Sequence, residues 1–351
     1  MKLRLTELLT IGTMVAAVSS VAQTYTIQSL GAPLPGTAEP QGVALNDLGQ
    51  ACGVCANNGY FATLFSNGQA IELSTLVAGD HSWAQGIDNS GVIVGYEQVN
   101  DTGPSHALVW NNGIVQDITA WSLFPGGATA TLISKKSGVV VGEGTTSNGD
   151  GHMFLYANGQ TVDLGPTTVP ASPVAINDSG EILVNYQITT SSNVPAIYFN
   201  GTFTLINAPA NATVTAYDID DNGVVAGGIT YNTNSVAPHA GLYSNGAWTD
   251  LGMLFGAGRG TIAWSINSAG QVLGMAAYNP VYKPDIGVRT VPCILQNGIW
   301  VDLNTLISTN STFYRALSRP VAINDPGQIL VNTKSPLTMN GYRDAVLLTP
   351  K

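Results

Sequence analysis

The amino-acid sequence predicts an all-β fold, a seven-bladed β-propeller of four-stranded antiparallel blades, closed by pairing of the N-terminal strand with the last blade. Three observations lead to this prediction. The composition is poor in charge and rich in glycine, one turn phrase recurs seven times, and an unpaired strand precedes the first copy of the repeat.

The composition favours strands joined by many turns. Of the 351 residues 44% are hydrophobic, only 10% are charged and 40 are glycine, whereas long helices usually carry more Glu, Lys and Arg. The net charge is −10, and the 12 Lys and Arg residues are spread thinly. Nucleic-acid binding normally needs a basic patch, so it is not expected, and the same holds for binding to anionic lipid.

The N-terminus reads as an export signal. Lys2 and Arg4 precede an apolar stretch at 8–18, and Ser20-Val21-Ala22 has the small-x-small pattern of a cleavage site. The apolar stretch is too short to span a membrane comfortably. We therefore expect a signal peptide at 1–22, a single β-propeller domain at 23–351, no membrane span after signal removal, and a secreted, extracellular or periplasmic location.

The repeat is clearest in its turn, as in Val174-Ala175-Ile176-Asn177-Asp178-Ser179-Gly180. The glycine that ends each copy falls at positions 49, 91, 138, 180, 223, 270 and 327, and the third copy is degenerate. The spacings of 42 to 57 residues are close to the blade length of four-stranded propellers, about 40–50 residues.

Each repeat contains four short strands, A to D. Strand A ends in the turn phrase, strand B follows its glycine, strand C resembles the segment 106–110, and strand D carries an Asp-Leu or Asp-Ile pair such as Asp117-Ile118. Strands C and D are separated by Asn-Gly, for example Asn112-Gly113. Because both residues tolerate a positive φ, this dipeptide is the strongest short signal for a hairpin.

The two ends of the chain predict ring closure. The last repeat has strands A, B and C but no D strand, and the segment from Tyr25 to Gly31 supplies one ahead of the first A strand. An open solenoid would need no such exchange, so a closed ring is favoured.

With these phrases the chain resembles the extracellular HAF-type repeat family, named for a His-Ala-Phe strand and marked by an Ile-Asn-x-x-Gly turn and a later Asp-Leu-Gly. The matching segments are Ile176 to Gly180, His106-Ala107-Leu108 and Asp250-Leu251-Gly252, although no copy reads His-Ala-Phe in full. The resemblance implies secretion and a propeller-like repeat, and it implies no agreed biochemical activity.

No catalytic motif is found, so no catalytic residue and no cofactor are predicted. The segment from Asp218 to Gly223 resembles the start of a calcium loop. Its twelfth position is Ile229 rather than the bidentate Glu such loops require, and Asp220 and Asn222 belong to the repeated turn. We therefore predict a plain turn and no metal site.

Other conspicuous residues occupy ordinary repeat positions. Cys52 and Cys55 have CxxC spacing but lie on a predicted apolar strand, so we expect them in the core, pointing to opposite faces. Three histidines share one position of strand C, and four aspartates share one of strand D. These are His106, His152 and His239, and Asp117, Asp163, Asp250 and Asp302. We expect each histidine to tie strand C to a neighbouring loop or turn by a hydrogen bond.

A ligand would be expected on one face of the ring. The A–B and C–D turns are tight and share a face, whereas the longer B–C and D–A connections share the other, and binding residues tend to lie on such loops. The candidate ligand-binding residues are Trp83, Trp121, Arg259, Tyr314 and Arg315. The alternative is that the loop aromatics simply plug the ring.

The function that fits these features is a secreted, non-enzymatic repeat protein, a scaffold that binds an extracellular protein or glycan through the long-loop face. One alternative is an extracellular carbohydrate-active hydrolase or lyase that uses channel carboxylates. Another is a structural component of a surface layer.

Overall fold

The chain forms seven four-stranded antiparallel sheets. A computed structural model describes residues 23–31, 40–56, 59–98, 102–165, 171–189, 192–232, 237–256, 259–278, 289–313, 317–334 and 342–351. In six sheets the order of the strands in space is their order in the chain, and the seventh takes its outermost strand from the N-terminus. Each sheet is one blade.

Blades 1 to 3 follow the N-terminal strand β1 (Tyr25–Ser29). Blade 1 contains β2 (Gln41–Leu45), β3 (Ala51–Ala56), β4 (Tyr60–Ser66) and β5 (Gln69–Glu72). Blade 2 contains β6 (His81–Ile87), β7 (Ile93–Gln98), β8 (Ser105–Asn111) and β9 (Ile114–Asp117). Blade 3 contains β10 (Ala128–Ile133), β11 (Val140–Thr145), β12 (Gly151–Ala157) and β13 (Gln160–Asp163).

Blades 4 to 7 repeat the plan. Blade 4 contains β14 (Ala171–Ile176), β15 (Ile182–Thr189), β16 (Ser192–Phe199) and β17 (Thr202–Leu205). Blade 5 contains β18 (Ala212–Ile219), β19 (Val225–Tyr231), β20 (His239–Ser244) and β21 (Ala247–Gly252). Blade 6 contains β22 (Thr261–Ile266), β23 (Val272–Tyr278), β24 (Arg289–Gln296) and β25 (Ile299–Asp302), followed by a 3-10 turn at Leu303–Thr305. Blade 7 contains β26 (Leu317–Ile323), β27 (Ile329–Lys334), β28 (Tyr342–Pro350) and β1.

The predicted ring closure is confirmed. Strand β1 pairs with β28 in antiparallel register from Tyr25 opposite Pro350 to Ser29 opposite Val346. The strand ends two residues before the predicted Gly31, because Gly31 adopts a φ of +79°, which leaves the extended region. The predicted Asn-Gly hairpins are also observed, and in the hairpin at Asn112-Gly113 the φ values are +50° and +80°.

Every A strand carries a β-bulge at the same repeat position. In blade 2 the register with β7 shifts between Ala84 and Gly86, which leaves Gln85 unpaired. A bulge re-aims a side chain, and here the unpaired residue lines the central channel in six of the seven blades. The seven bulged residues are Val43, Gln85, Thr131, Val174, Tyr217, Trp264 and Val321.

The bulge explains a glycine in strand B. A Cβ atom at Gly95, opposite Ala84, would lie 1.9 Å from the carbonyl oxygen of Trp83. Real Cβ atoms do not approach backbone oxygen so closely, so this position of β7 admits only glycine without a shift of the strand.

The repeated turns join one blade to the next. Asn324 Nδ2 donates to the carbonyl oxygen of Asn46 at 2.9 Å, and Asn46 Nδ2 donates to that of Asp88 at 2.8 Å. Equivalent bonds link Asn177 to Asp220 at 3.0 Å and Asn267 to Asn324 at 2.7 Å. The turn phrase therefore also holds neighbouring blades together, including the blades on either side of the closure.

The core lies in the gaps between blades, where the faces of adjacent sheets pack together. Cys52 packs with Ala84 and Ile87 of blade 2, whereas Cys55 packs with Leu330 of blade 7. Both thiols are free, and burial raises the pKa of each. The two cysteines therefore lie in the core on opposite faces of β3, as expected. Searched over the described residues, the structure contains no helix long and apolar enough to cross a membrane.

Candidate functional site

The two ends of the ring differ. The A–B and C–D turns lie at one end, called the turn face, and the B–C and D–A connections lie at the other, called the loop face. Strand A therefore begins at the loop face. The candidate residues Trp83, near the start of β6, and Trp121, in the connection after β9, also lie at this face.

Trp83 is the centre of an aromatic cluster. Its ring stacks on Tyr96 of β7 at 4.9 Å between centroids and on Tyr60 of β4 at 5.6 Å, and His81 packs edge-on against it at 6.1 Å. The sequence placed Trp83 at the end of a loop, but it lies within β6. Strand β6 starts at His81 because Ser82 and Ala84 alternate with the larger residues and are buried.

A pair of buried carboxyl groups adjoins this cluster. Glu97 is fully buried, and its Oε2 accepts a hydrogen bond from the Leu76 amide at 2.7 Å. The second oxygen of Glu97, Oε1, is buried and accepts no hydrogen bond, and Asp80 is buried as well. Burial raises the pKa of the Glu97 carboxyl, and the negative charge of Asp80 raises it further, whereas the Leu76 amide and the charge of His106 lower it.

Trp121 adjoins the same pair on the side of blade 3. Its ring packs at 4.7 Å against His106, which is opposite Glu97 on the neighbouring strand, and its Nε1 donates to Asp117 Oδ2 at 3.2 Å. The side chain remains 37% exposed. The buried Glu97 therefore connects Leu76 on one side with His106 and Trp121 on the other.

The repeat histidines have a partner that the sequence did not indicate. His106 Nδ1 lies 2.9 Å from Asp117 Oδ2, and His152 and His239 make the same contact with Asp163 and Asp250. The bond therefore joins strand C to the aspartate of strand D rather than to a loop or turn. The aspartate also accepts a backbone amide two residues later, as Asp117 does from Thr119 at 2.8 Å, so the pair fixes the start of the D–A connection.

Exposed apolar side chains collect around these residues. Tyr60 is 48% exposed and Val77 50%, and Leu76, Trp121 and Leu123 are between 37% and 39% exposed. All five lie on the loop face, at the start of β4 or in the D–A connections of blades 1 and 2. Together with Trp83 they are called the loop-face patch.

The other three predicted residues are not part of this patch. Arg259 is half-buried in the connection between blades 5 and 6, so the structure places it in a different sector from Trp83 and Trp121. Tyr314 and Arg315 lie outside the described residues.

The channel aspartates form a ring at the turn face, and each is bonded to a neighbouring blade. Asp47 Oδ1 accepts from the Asp325 amide at 3.1 Å, Asp178 Oδ1 from the Lys136 amide at 2.8 Å, and Asp221 Oδ1 from the Asp178 amide at 2.9 Å. The resemblance of 218–223 to a calcium loop has a similar explanation. Asp218 Oδ2 accepts from Ser265 Oγ of blade 6 at 2.7 Å, whereas Asp220 Oδ1 accepts from Asn222 and Val224 of its own turn.

No metal centre is evident. Within the part of the chain that the structure describes, no three His, Cys, Asp or Glu side chains are grouped so that they could hold a metal ion.

Sequence reasoning missed Tyr60, Tyr96 and Glu97. Each lies on a strand that looks like ordinary core, and only the pairing of three strands brings them to Trp83. One signal was present. The alternation of small and large residues from His81 to Gly86 has the period of a strand and could have placed Trp83 beside β7.

Comparisons with known proteins establish the fold. No protein-family model matches the chain, and no curated protein matches it. Among solved structures it is similar to the β-propeller domain of the Trilobed protease from Pyrococcus furiosus, with a TM-score of 0.56 and 12% identity over 90% of this chain and 94% of that one. TolB from Acinetobacter baumannii gives a TM-score of 0.46 and 10% identity over 93% and 96% of the two chains. At 12% identity the likeness to the protease domain is one of fold, and it agrees with the propeller described above.

Proposed function

We propose that this chain is a secreted, non-enzymatic binding module of the HAF-type repeat family and that it binds an extracellular partner through the loop-face patch. The observation that carries the proposal is the concentration of exposed aromatic and aliphatic side chains in one sector of one face. Soluble proteins rarely expose contiguous apolar surface without a use for it.

The composition of the patch favours a protein partner over a glycan. Leu76, Val77 and Leu123 add aliphatic surface to the aromatic rings, and binding hot spots combine such apolar groups with Trp and Tyr anchors. The carboxyl groups of Glu97 and Asp80 are buried beneath the surface, so they are poorly placed to bond sugar hydroxyls.

Secretion is part of the proposal and has its own check. Residues 1–22 lie outside the described residues, and the described chain begins at Gln23 and enters β1 at Tyr25. Cleavage after Ala22 would leave the closing strand intact. N-terminal sequencing of the exported protein should therefore begin at Gln23, and a mature protein that retains the first 22 residues would contradict this.

The binding face can be tested with a double variant, Val77→Ser with Trp121→Ser, and a matched control, Ile114→Ser with Ile299→Ser. The control residues are exposed by 71% and 68% at C–D hairpins of the turn face. Immobilised protein is exposed to the extracellular fluid of the native cells and to a panel of polysaccharides. We expect the patch variant to lose about 30-fold in affinity for a protein that the wild type captures, the size of a hot-spot loss.

The controls decide the outcome. The turn-face variant should bind as the wild type does, which would exclude a general effect of removing apolar surface. Equal loss in both variants, or undiminished binding by the patch variant, would refute the loop-face assignment. If the wild type binds a polysaccharide and the patch variant does not, the loop face is still the binding face, but the partner is a glycan rather than a protein.

A further inference from the structure

The half of the central channel nearest the turn face is a cavity of about 300 Å³. It lies between the ring of bulged residues and the ring of repeated turns. Its volume is at the lower end of the range of small-molecule sites, and it is distinct from the loop-face patch.

The cavity is lined by more negative than positive charge. Its charged lining residues, among those the structure describes, are Asp178, Asp218, Asp220, Asp221, Asp325 and a single lysine, Lys135. Walls of low dielectric constant concentrate the field of such groups, so the cavity attracts cations and repels anions.

One wall of the cavity is aromatic. At the bulged position blades 1, 4 and 7 have Val43, Val174 and Val321, whereas blades 5 and 6 have Tyr217 and Trp264. The rings of Tyr217 and Trp264 stack at 5.1 Å. Arg319 Cζ lies 5.9 Å from the centre of the Trp264 ring. The indole thus already attracts one cation of the chain itself.

The aspartates at the turn-face end of the cavity also attract ammonium groups of the chain. Lys135 Nζ lies 3.3 Å from Asp47 Oδ1, two blades away, and Lys136 Nζ lies 2.9 Å from both Asp178 and Asp221. Both lysines come from the degenerate third copy of the turn. To reach blades 1 and 5 from blade 3, their side chains must extend along the turn-face end of the channel.

We propose that this cavity binds a small organic cation, and that its best-matched class is a primary diamine. One ammonium group would lie against the Tyr217–Trp264 wall, and the other would contact Asp178 and Asp221, which line the cavity and now hold Lys136. Lys135 also lines the cavity, so its ammonium group competes with the ligand for the negative charge of the lining. This site does not depend on the function proposed for the loop face.

The probe is cadaverine, a five-carbon chain with an ammonium group at each end, titrated calorimetrically into the purified full-length mature protein. Pentanediol has the same length without charge, and glutarate has the same length with the opposite charge. We expect cadaverine to bind at least about tenfold more tightly than pentanediol, because it gains cation–π and ion-pair contacts, and we expect no binding of glutarate.

Two substitutions should act in opposite directions. Trp264→Leu removes the aromatic wall and should weaken cadaverine binding about tenfold, whereas Lys135→Gln removes the internal competitor and should strengthen it about threefold. The matched controls are Trp248→Leu and Lys351→Gln. Trp248 lies on the outer strand β21 and donates to a carbonyl at 3.1 Å, as Trp264 does, and Lys351 is the exposed C-terminal residue.

These variants keep the proposal falsifiable even if one fails to fold. Circular dichroism shows whether Trp264→Leu keeps the fold, and the gain in Lys135→Gln cannot come from unfolding. Equal affinity for cadaverine and pentanediol, unchanged binding in folded Trp264→Leu, or unchanged or weaker binding in Lys135→Gln would each overturn the proposal. Changes of the same size in the control variants would overturn it as well.

Discussion

At the scale of the residue, Glu97 is buried directly beneath part of the loop-face patch. Its carboxyl group is fully buried and accepts the amide of Leu76, so it fixes the connection that presents Leu76 and Val77 to solvent. Burial and the negative charge of Asp80 both raise the pKa of Glu97, so the neutral form of the Glu97 carboxyl is favoured beside Asp80.

This arrangement predicts how stability depends on pH. The pKa of Glu97 is raised by burial and then by Asp80, so its folded-state pKa exceeds its unfolded value. Its contribution is therefore complete below the ordinary glutamate pKa and is lost as the pH rises through the raised pKa. Glu97→Gln keeps an oxygen for the Leu76 amide and removes the negative charge that Asp80 would repel. Over that pH window the variant should become more stable than the wild type, by about 1–3 kcal/mol.

Urea denaturation at a series of pH values measures this difference. Below the ordinary glutamate pKa the two proteins should be similar, since Glu97 is then protonated in both the folded and the unfolded chain. The charge of Asp80 contributes to the raised pKa of Glu97, so Asp80→Asn serves as the second variant and should reduce the same step. Parallel pH profiles for wild type and Glu97→Gln would show that the carboxyl pair does not hold a proton.

At the scale of the element, the repeated turn connects strands A and B of its own blade and also forms a hydrogen bond to the next blade. Four of its copies have asparagine at the position that donates to the next blade, whereas Asp88 and Asp220 cannot donate. Asp220 is buried, and its Oδ1 accepts from the amides of Asn222 and Val224. An asparagine would keep those bonds and supply the missing donor toward Asn267 of blade 6. Asn222 Nδ2, which now also donates to Asp220 Oδ2 at 3.2 Å, would keep its bond to the Ser268 carbonyl at 3.1 Å.

Asp220→Asn should therefore stabilise the protein by about 1 kcal/mol, the net worth of one hydrogen bond. Asn324→Ala should do the opposite. It deprives Asn46 of a donor and the Gln328 amide of an acceptor, which costs about 2–4 kcal/mol when such groups stay buried. Chemical denaturation of both variants measures the change in the free energy of unfolding, which should be positive for Asp220→Asn and negative for Asn324→Ala. Loss of stability in Asp220→Asn would mean that the carboxylate serves the turn in a way the amide cannot.

These elements also show where sequence reasoning succeeds. The turns and hairpins depend on backbone preferences of a few adjacent residues, so Asn-Gly and the Asn-Asp phrase predicted seven blades from local signals. The bulges depend on which residues face each other across two strands. Trp264 was therefore not recognised as a channel residue, and the contact of Trp83 with Tyr96 was not foreseen. The contact between His106 and Asp117 was not predicted for the same reason, although the sequence analysis had noted both repeat positions.

At the scale of the whole molecule, stability depends on the junction between the two ends of the chain. Strand β1 is the outermost strand of blade 7 and pairs with β28 along its whole length. Lys351 also donates its amide to Thr24 at 2.9 Å. The contacts that close the ring span nearly the entire sequence, so they carry a large loop-closure entropy. Unfolding is therefore expected to begin where β1 separates from β28.

A disulfide across this junction should stabilise the ring. Thr26 is directly opposite Thr349, and Thr26→Cys with Thr349→Cys would close a loop from residue 26 to residue 349. The chain-entropy relation gives about 6 kcal/mol for so long a loop. The three native cysteines are buried, and burial raises the pKa of each thiol, so they should not compete for the new bond.

The comparison is between the oxidised and reduced forms in guanidinium denaturation, with Ser66→Cys and Gln69→Cys as control. That pair is also directly opposite but closes only the hairpin between β4 and β5, for which the same relation gives about 2 kcal/mol. A larger gain at the termini than in the hairpin is expected if β1 must separate from β28 before the blades unfold. Equal gains would contradict this, and would mean that the blades come apart while the closing strand stays paired.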